Sequence, residues 1–152
     1  MLATDFLKRQ HREAMAMIET LEQKDGAMLE GASLQLFGKL KSALVFHTTV
    51  EEQIFYHTLA NEPLTEELVD ESFLEHRTVD VLLVALSVPT EKWKQLLGKL
   101  KGEIAHHVDE EENDLFPRAE RVLGKRKLED MGWQMEQIKK GKSANLGQPY
   151  HS

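Results

Sequence analysis

An all-α domain is the fold class this sequence predicts, and three observations predict it. Helix formers dominate the 152 residues, which only four prolines and nine glycines interrupt. Apolar residues recur every three to four positions over long stretches, while the alternation of a strand is almost absent. The long stretches number four, and the connections between them are short. That pattern specifies an antiparallel up-down-up-down four-helix bundle with a short additional C-terminal helix.

The first helix can be capped by Thr4 or Asp5 and runs to about Gln23, where Lys24-Asp25-Gly26 stops it. Its apolar face is Leu7, Ala14, Met15, Ile18 and Leu21, and His11 falls on that face, four after Leu7. Ser33 can cap the second, which reaches about Thr58 before Ala60-Asn61-Glu62-Pro63. Leu36, Leu40, Leu44, Ile54 and Phe55 form its stripe, and His47 and Glu51 fill the gap between Leu44 and Ile54. Thr65 starts the third helix, to about Ser87, with Val69, Phe73, His76, Leu83 and Leu86 facing in.

A fourth helix follows Val88-Pro89-Thr90, with Trp93, Leu96, Leu97, Leu100, Ile104 and Leu115 as its stripe. That stripe separates two adjacent histidines. His107 follows Ile104 by three and Leu100 by seven, so it faces in, whereas His106 shares its face with Lys99 and Glu103. Glu111 lies one turn beyond His107, and Pro117 is expected to kink or end the helix. Measured against its neighbours, the fourth helix must overhang the others by a turn or more to bring His107 level with His76. Leu128, Met131, Met135 and Ile138 mark the short last helix.

Composition narrows the function. A net charge of −7, with both signs mixed along the chain, offers no basic patch for nucleic acid. Cysteine is absent, which excludes disulfides, iron-sulfur clusters and thiolate zinc sites. No apolar run approaches the ~20 residues a membrane helix needs, and Met1-Leu2-Ala3-Thr4-Asp5 lacks a leader pattern. The expectation is a cytoplasmic protein with one domain over residues 1–140, a disordered tail over 141–152, and neither nucleic acid nor membrane as partner.

The inward set is therefore His11, His47, Glu51, His76, His107 and Glu111, with Asp80 one turn after His76 as a possible seventh. A single inward histidine in a helical core is more often a hydrogen-bonded core residue than a ligand. Four on four helices, two of them followed at the next turn by an inward glutamate, reverse that preference, because carboxylates buried without a counter-charge are costly. A pair of metal ions resolves the cost. Imidazole and carboxylate without sulfur suit iron, manganese or zinc, and glutamates from facing helices can bridge two ions. Glu52, Glu110, Glu112, His57 and His106 read as solvated.

These residues resemble the hemerythrin-like family, the HHE cation-binding domains. The resemblance rests on His11, on His47-x-x-x-Glu51, on Glu75-His76, and on His106-His107-Val-x-x-Glu-Glu-x-x-Leu-Phe-Pro, and it spans about residues 4–122. It implies a non-haem di-iron centre, possibly oxo-bridged, in which Glu51 and Glu111 bridge and the histidines are terminal ligands; manganese or zinc would be the lesser choices. Oxygen-carrying hemerythrins have a histidine where Asp80 stands, and their helix-4 carboxylate is five rather than four residues from its histidine. That departure argues for sensing, iron binding, or peroxide and nitric oxide chemistry over reversible oxygen binding, with a small diatomic ligand or peroxide as partner.

Two other classes compete. A ferritin-like di-iron oxidase or iron store would use Glu-x-x-His on two helices, and the spacing occurs here once, at Glu103 and His106 on the polar face. A metal-free helical interaction module would tolerate leucine at His47 or His107. No acid, base or substrate pocket is legible, so no enzymatic reaction is assigned. Bound metal should be lost as pH falls through roughly 5, because coordinating imidazoles must be neutral.

Overall fold

The computed structural model describes residues 1–24 and 30–141, which are helical and contain no strand. Five α-helices follow in order: α1 (Ala3–Gln23), α2 (Gly31–Val50), α3 (Glu66–Leu86), α4 (Trp93–Glu110) and α5 (Phe116–Lys140). α2 continues into a π-helical segment, Glu51–Tyr56, and a last turn, His57–Leu59; α4 continues through a second π segment, Glu111–Leu115, directly into α5. α1 packs against α2, α4 and α5, and α3 against α4. The stop expected at Asp25-Gly26 and the tail from residue 142 onward lie outside the described residues.

Helix starts differ from the expected caps. α1 begins directly after an extended Leu2, whose carbonyl accepts the Phe6 amide at 3.0 Å, and Thr4 is buried in the first turn instead of capping it. α2 begins at Gly31, two residues before Ser33, with φ at 56°, a conformation open to glycine. Thr65 does precede α3, but its hydroxyl turns back to the Leu59 carbonyl at 2.8 Å and holds the connection between helices.

Pro117 neither ends nor kinks the fourth helix. It falls in the first turn of α5, where a missing amide hydrogen is tolerated, and the chain stays helical past it. The change of direction comes at Gly124, with φ 78° and ψ 165°, after which Leu128, Met131 and Met135 are buried. Gly132 lets this last segment lie on the N-terminus, since a Cβ there would collide with the Met1 carbonyl oxygen.

The apolar interior falls into two clusters. Phe6, Leu7, Val50, Phe55, Tyr56, Leu115, Phe116 and Met131 belong to one; Ile18, Leu40, Leu44, Leu83, Trp93, Leu97 and Ile104 belong to the other. On α1, His11 separates Leu7 of the first from Ala14 of the second, and His47, His76 and His107 interrupt their helices similarly. A polar layer thus crosses the interior. Its six residues are each no more than 6% exposed.

Candidate metal centre

Each bridging candidate begins a π segment. Glu51 and Glu111 close an i,i+4 pair with His47 and His107 on the α-helical side, and beyond them the winding loosens. In a π turn the residue five ahead comes round to the same face. That residue is Tyr56 after Glu51 and Phe116 after Glu111.

The four inward imidazoles share one orientation. The Nδ1 hydrogens point outward: His11 donates to Glu112 at 2.7 Å, His47 to the Gln10 side-chain oxygen at 2.6 Å, His76 to Glu52 at 2.7 Å and His107 to Glu75 at 2.6 Å. All four Nε2 atoms consequently face inward, toward the two carboxylates. His11 Nε2 lies 3.0 Å from Glu111 Oε1, and His107 Nε2 lies 3.3 Å from Glu111 Oε2. His47 and His76 Nε2 approach Glu51 Oε1 at 3.2 and 3.0 Å.

These contacts fall into two halves related by an approximate two-fold. Residues 46–56 correspond to 106–116, and Gln10-His11 corresponds to Glu75-His76. The His11–His47 rings stand 4.8 Å apart at 67°, and the His76–His107 rings stand 4.8 Å apart at 67°. Phe116 stacks on His11 at 6.0 Å, where Tyr56 lies beside His76 at 5.3 Å.

Electrostatics show what such a cluster lacks. Burial would lower His11 and His76, but Glu111 with Glu112, and Glu51 with Glu52, outweigh it and raise both to about 9. His107 is likewise driven well up against its burial by Glu111, Glu51 and Glu75, while burial wins at His47 and pulls it down. Glu51 stays well below the usual carboxylate range, because His47, His107 and His76 overcome its burial. Protons therefore take the place of positive charge.

Protons do not satisfy the site. His11 Nε2, His47 Nε2, Glu51 Oε2 and Glu111 Oε1 are buried and make no well-directed hydrogen bond, although the two nitrogens lie within ion-pair distance of Glu111 and Glu51. His76 and His107 bring their Nε2 atoms within 3.3 Å of each other, an approach that requires a shared proton or cation. Inward nitrogens and carboxylate oxygens converge in two overlapping groups, His11 with His47, Glu51 and Glu111, and His76 with His107 and Glu51. The donor set fits a pair of metal ions: Nε2 ligands with tethered Nδ1 hydrogens, and carboxylates shared between positions.

All six residues expected to face in are thus assembled here. Asp80 is not: it is exposed on α3, and its carboxyl is pushed up by partial burial and by Glu52. Glu52 and Glu112, expected to be solvated, instead hold His76 and His11. His57 and His106 are on the surface, where His106 pairs with Glu110 at 2.6 Å and approaches Glu75 at 3.4 Å. The Glu103–His106 spacing therefore contributes nothing to the centre.

Tyr56 lies in the centre and was not singled out by sequence reasoning. It is fully buried, and its hydroxyl donates to Glu111 Oε2 and lies 3.1 Å from Glu51 Oε1 and 3.3 Å from His76 Nε2. Burial, with the two carboxylates, keeps the phenol well above its ordinary value. On the opposite side of the histidines a cavity of about 110 Å³ is lined by Ala14, Leu44, Val79 and Ile104 together with all four imidazoles. It can admit a molecule of a few atoms.

The family model for the hemerythrin HHE cation-binding domain matches residues 2–119. No curated protein and no solved structure matches the chain significantly.

Proposed function

Because the chain belongs to the hemerythrin HHE cation-binding domain family, we propose that it holds a non-haem di-iron centre and binds or senses oxygen, nitric oxide, peroxide or iron itself. One observation carries the reading: four imidazoles present Nε2 inward to two shared carboxylates, and four of these buried nitrogens and oxygens make no well-directed hydrogen bond. His11 and His47 would hold one ion, His76 and His107 the other, with Glu51 and Glu111 between them. The packing of α1 on α2 and of α3 on α4 supports taking the four helices as an up-down-up-down bundle.

Bound iron would supply redox-active positions at which a small ligand can be held or reduced. The chain's own part is positioning. Glu112, Gln10, Glu52 and Glu75 fix the ring orientations and the tautomers from outside. Ala14, Leu44, Val79 and Ile104 wall the cavity with apolar groups, which favours a small uncharged ligand over water. The Tyr56 hydroxyl keeps a donor on Glu111 and can return a proton to an oxygen beside it.

The test is metal content of protein expressed with iron, followed by ferrous loading without air and separate exposure to oxygen, nitric oxide and hydrogen peroxide. A pair of irons per chain and an optical change selective for one of these ligands is the expected result. Protein that stays metal-free after reconstitution with iron, manganese and zinc would sink the proposal. The Glu51→Gln variant should lose both ions, since this carboxylate belongs to both groups of donors.

A further inference from the structure

The approximate two-fold makes each half of the centre a control for the other. The outer partners of His11 and His76 are both carboxylates, Glu112 and Glu52, each at 2.7 Å. The outer partners of His47 and His107 are at equal distances too, 2.6 Å, but one is the neutral amide of Gln10 and the other the carboxylate of Glu75. Geometry is matched and charge is not.

A carboxylate accepting an Nδ1–H draws that proton away and leaves more electron density at Nε2 than an amide oxygen does. Glu75 is well placed to act this way. Its side chain is 16% exposed, and its second oxygen faces His106, which Glu110 anchors at 2.6 Å. The half containing His76 and His107 thus has two outer carboxylates, and the half containing His11 and His47 has one. Tyr56 in place of Phe116 adds a further oxygen to the richer half.

We propose that Glu75 makes His107 a stronger donor than His47, so the position between His76 and His107 holds its ion more tightly and the centre fills and empties in two separated steps. The inference rests on the reading that the cluster binds two metal ions. Glu75 acts through His107 and is a positioning residue. Both positions border the cavity, which all four imidazoles line.

The experiment loads the full chain with Zn²⁺ and withdraws it with a graded chelator, counting metal per chain at each step. The wild type should release its ions in two steps separated by about 10–100-fold, the range typical of a change in such outer partners. Glu75→Gln equalises the outer partners without changing their shape, and should narrow the separation by weakening the tighter step alone. Gln10→Glu should narrow it from the other side, by strengthening the weaker step.

A purely structural role for Glu75 would weaken both steps together. That result, or release in a single step from the wild type, would overturn the proposal while leaving a two-metal centre intact. A protein that binds no zinc would overturn the two-metal reading and this one with it.

Discussion

Tyr56 and Phe116 occupy equivalent places, each five residues beyond a shared carboxylate at the far side of a π turn, yet only Tyr56 sends a hydroxyl into the centre. Replacing it by phenylalanine makes the halves alike at this point. In metal-free protein Tyr56→Phe removes a donor from buried Glu111 and should cost about 1–3 kcal/mol. Metal-loaded protein should lose much less, because an ion then occupies the carboxylate. Denaturant unfolding of both forms measures the difference, and equal losses would show that the hydroxyl supports packing alone.

Gly124 carries the turn between the bundle and its last helical segment, at φ 78° and ψ 165°. This region is essentially restricted to glycine, so Gly124→Ala should destabilise the protein by about 1–3 kcal/mol. All six inward donors precede it, and metal content should not change. A variant that unfolds at the wild-type denaturant concentration would mean that the segment bearing Leu128 and Met131 contributes nothing to stability.

The pH dependence of the metal-free protein follows from the raised histidines. His11 and His76 move from 6.5 to about 9 on folding, so the stability they contribute is complete below pH 6.5 and disappears as pH rises through about 9. His47, held down by burial, acts in the opposite sense toward acid. Metal must displace the protons on His11 and His76, and that on His107, which is raised as well, so zinc affinity should strengthen as pH rises toward about 9 and beyond. The raised histidines thus place the onset of weakening well above the pH of roughly 5 expected from the sequence. Calorimetric titration in buffers of different ionisation enthalpy reads the protons released; affinity independent of pH across this window would contradict the assignment.

Asp80→Ala should leave metal content unchanged, since this carboxylate is exposed and lies outside the assembled donors. Loss of one ion per chain would reveal a rotamer that swings inward when metal is present.

The six inward donors were legible because helical periodicity is local: His11, His47, His76 and His107 sit where an apolar residue would otherwise stand, and each carboxylate lies one turn from its histidine. Tyr56 was not legible by that rule. Five residues of α-helix would carry it roughly 140° round from Glu51, and only π winding restores it to the face. Gln10, Glu52, Glu75 and Glu112 escaped for a related reason. Each is adjacent in sequence to a donor and so points off the inward face, reaching a histidine only across a helix boundary that periodicity does not describe. The cap predicted at Ser33 lost to Gly31, whose positive φ starts α2 earlier.

The two-fold also means that neither helix pair is self-sufficient. Glu52, beyond α2, steadies a ring on α3, and Glu112, beyond α4, steadies one on α1, so each helix pair completes the other's histidine positions. Two identical copies of one hairpin would be enough to assemble such a centre, and they would be bound to make it symmetrical. Covalent joining removes that obligation. A single chain can place an amide at Gln10 and a carboxylate at Glu75, a ring at Phe116 and a phenol at Tyr56, and so give the two halves of one polar cluster different surroundings.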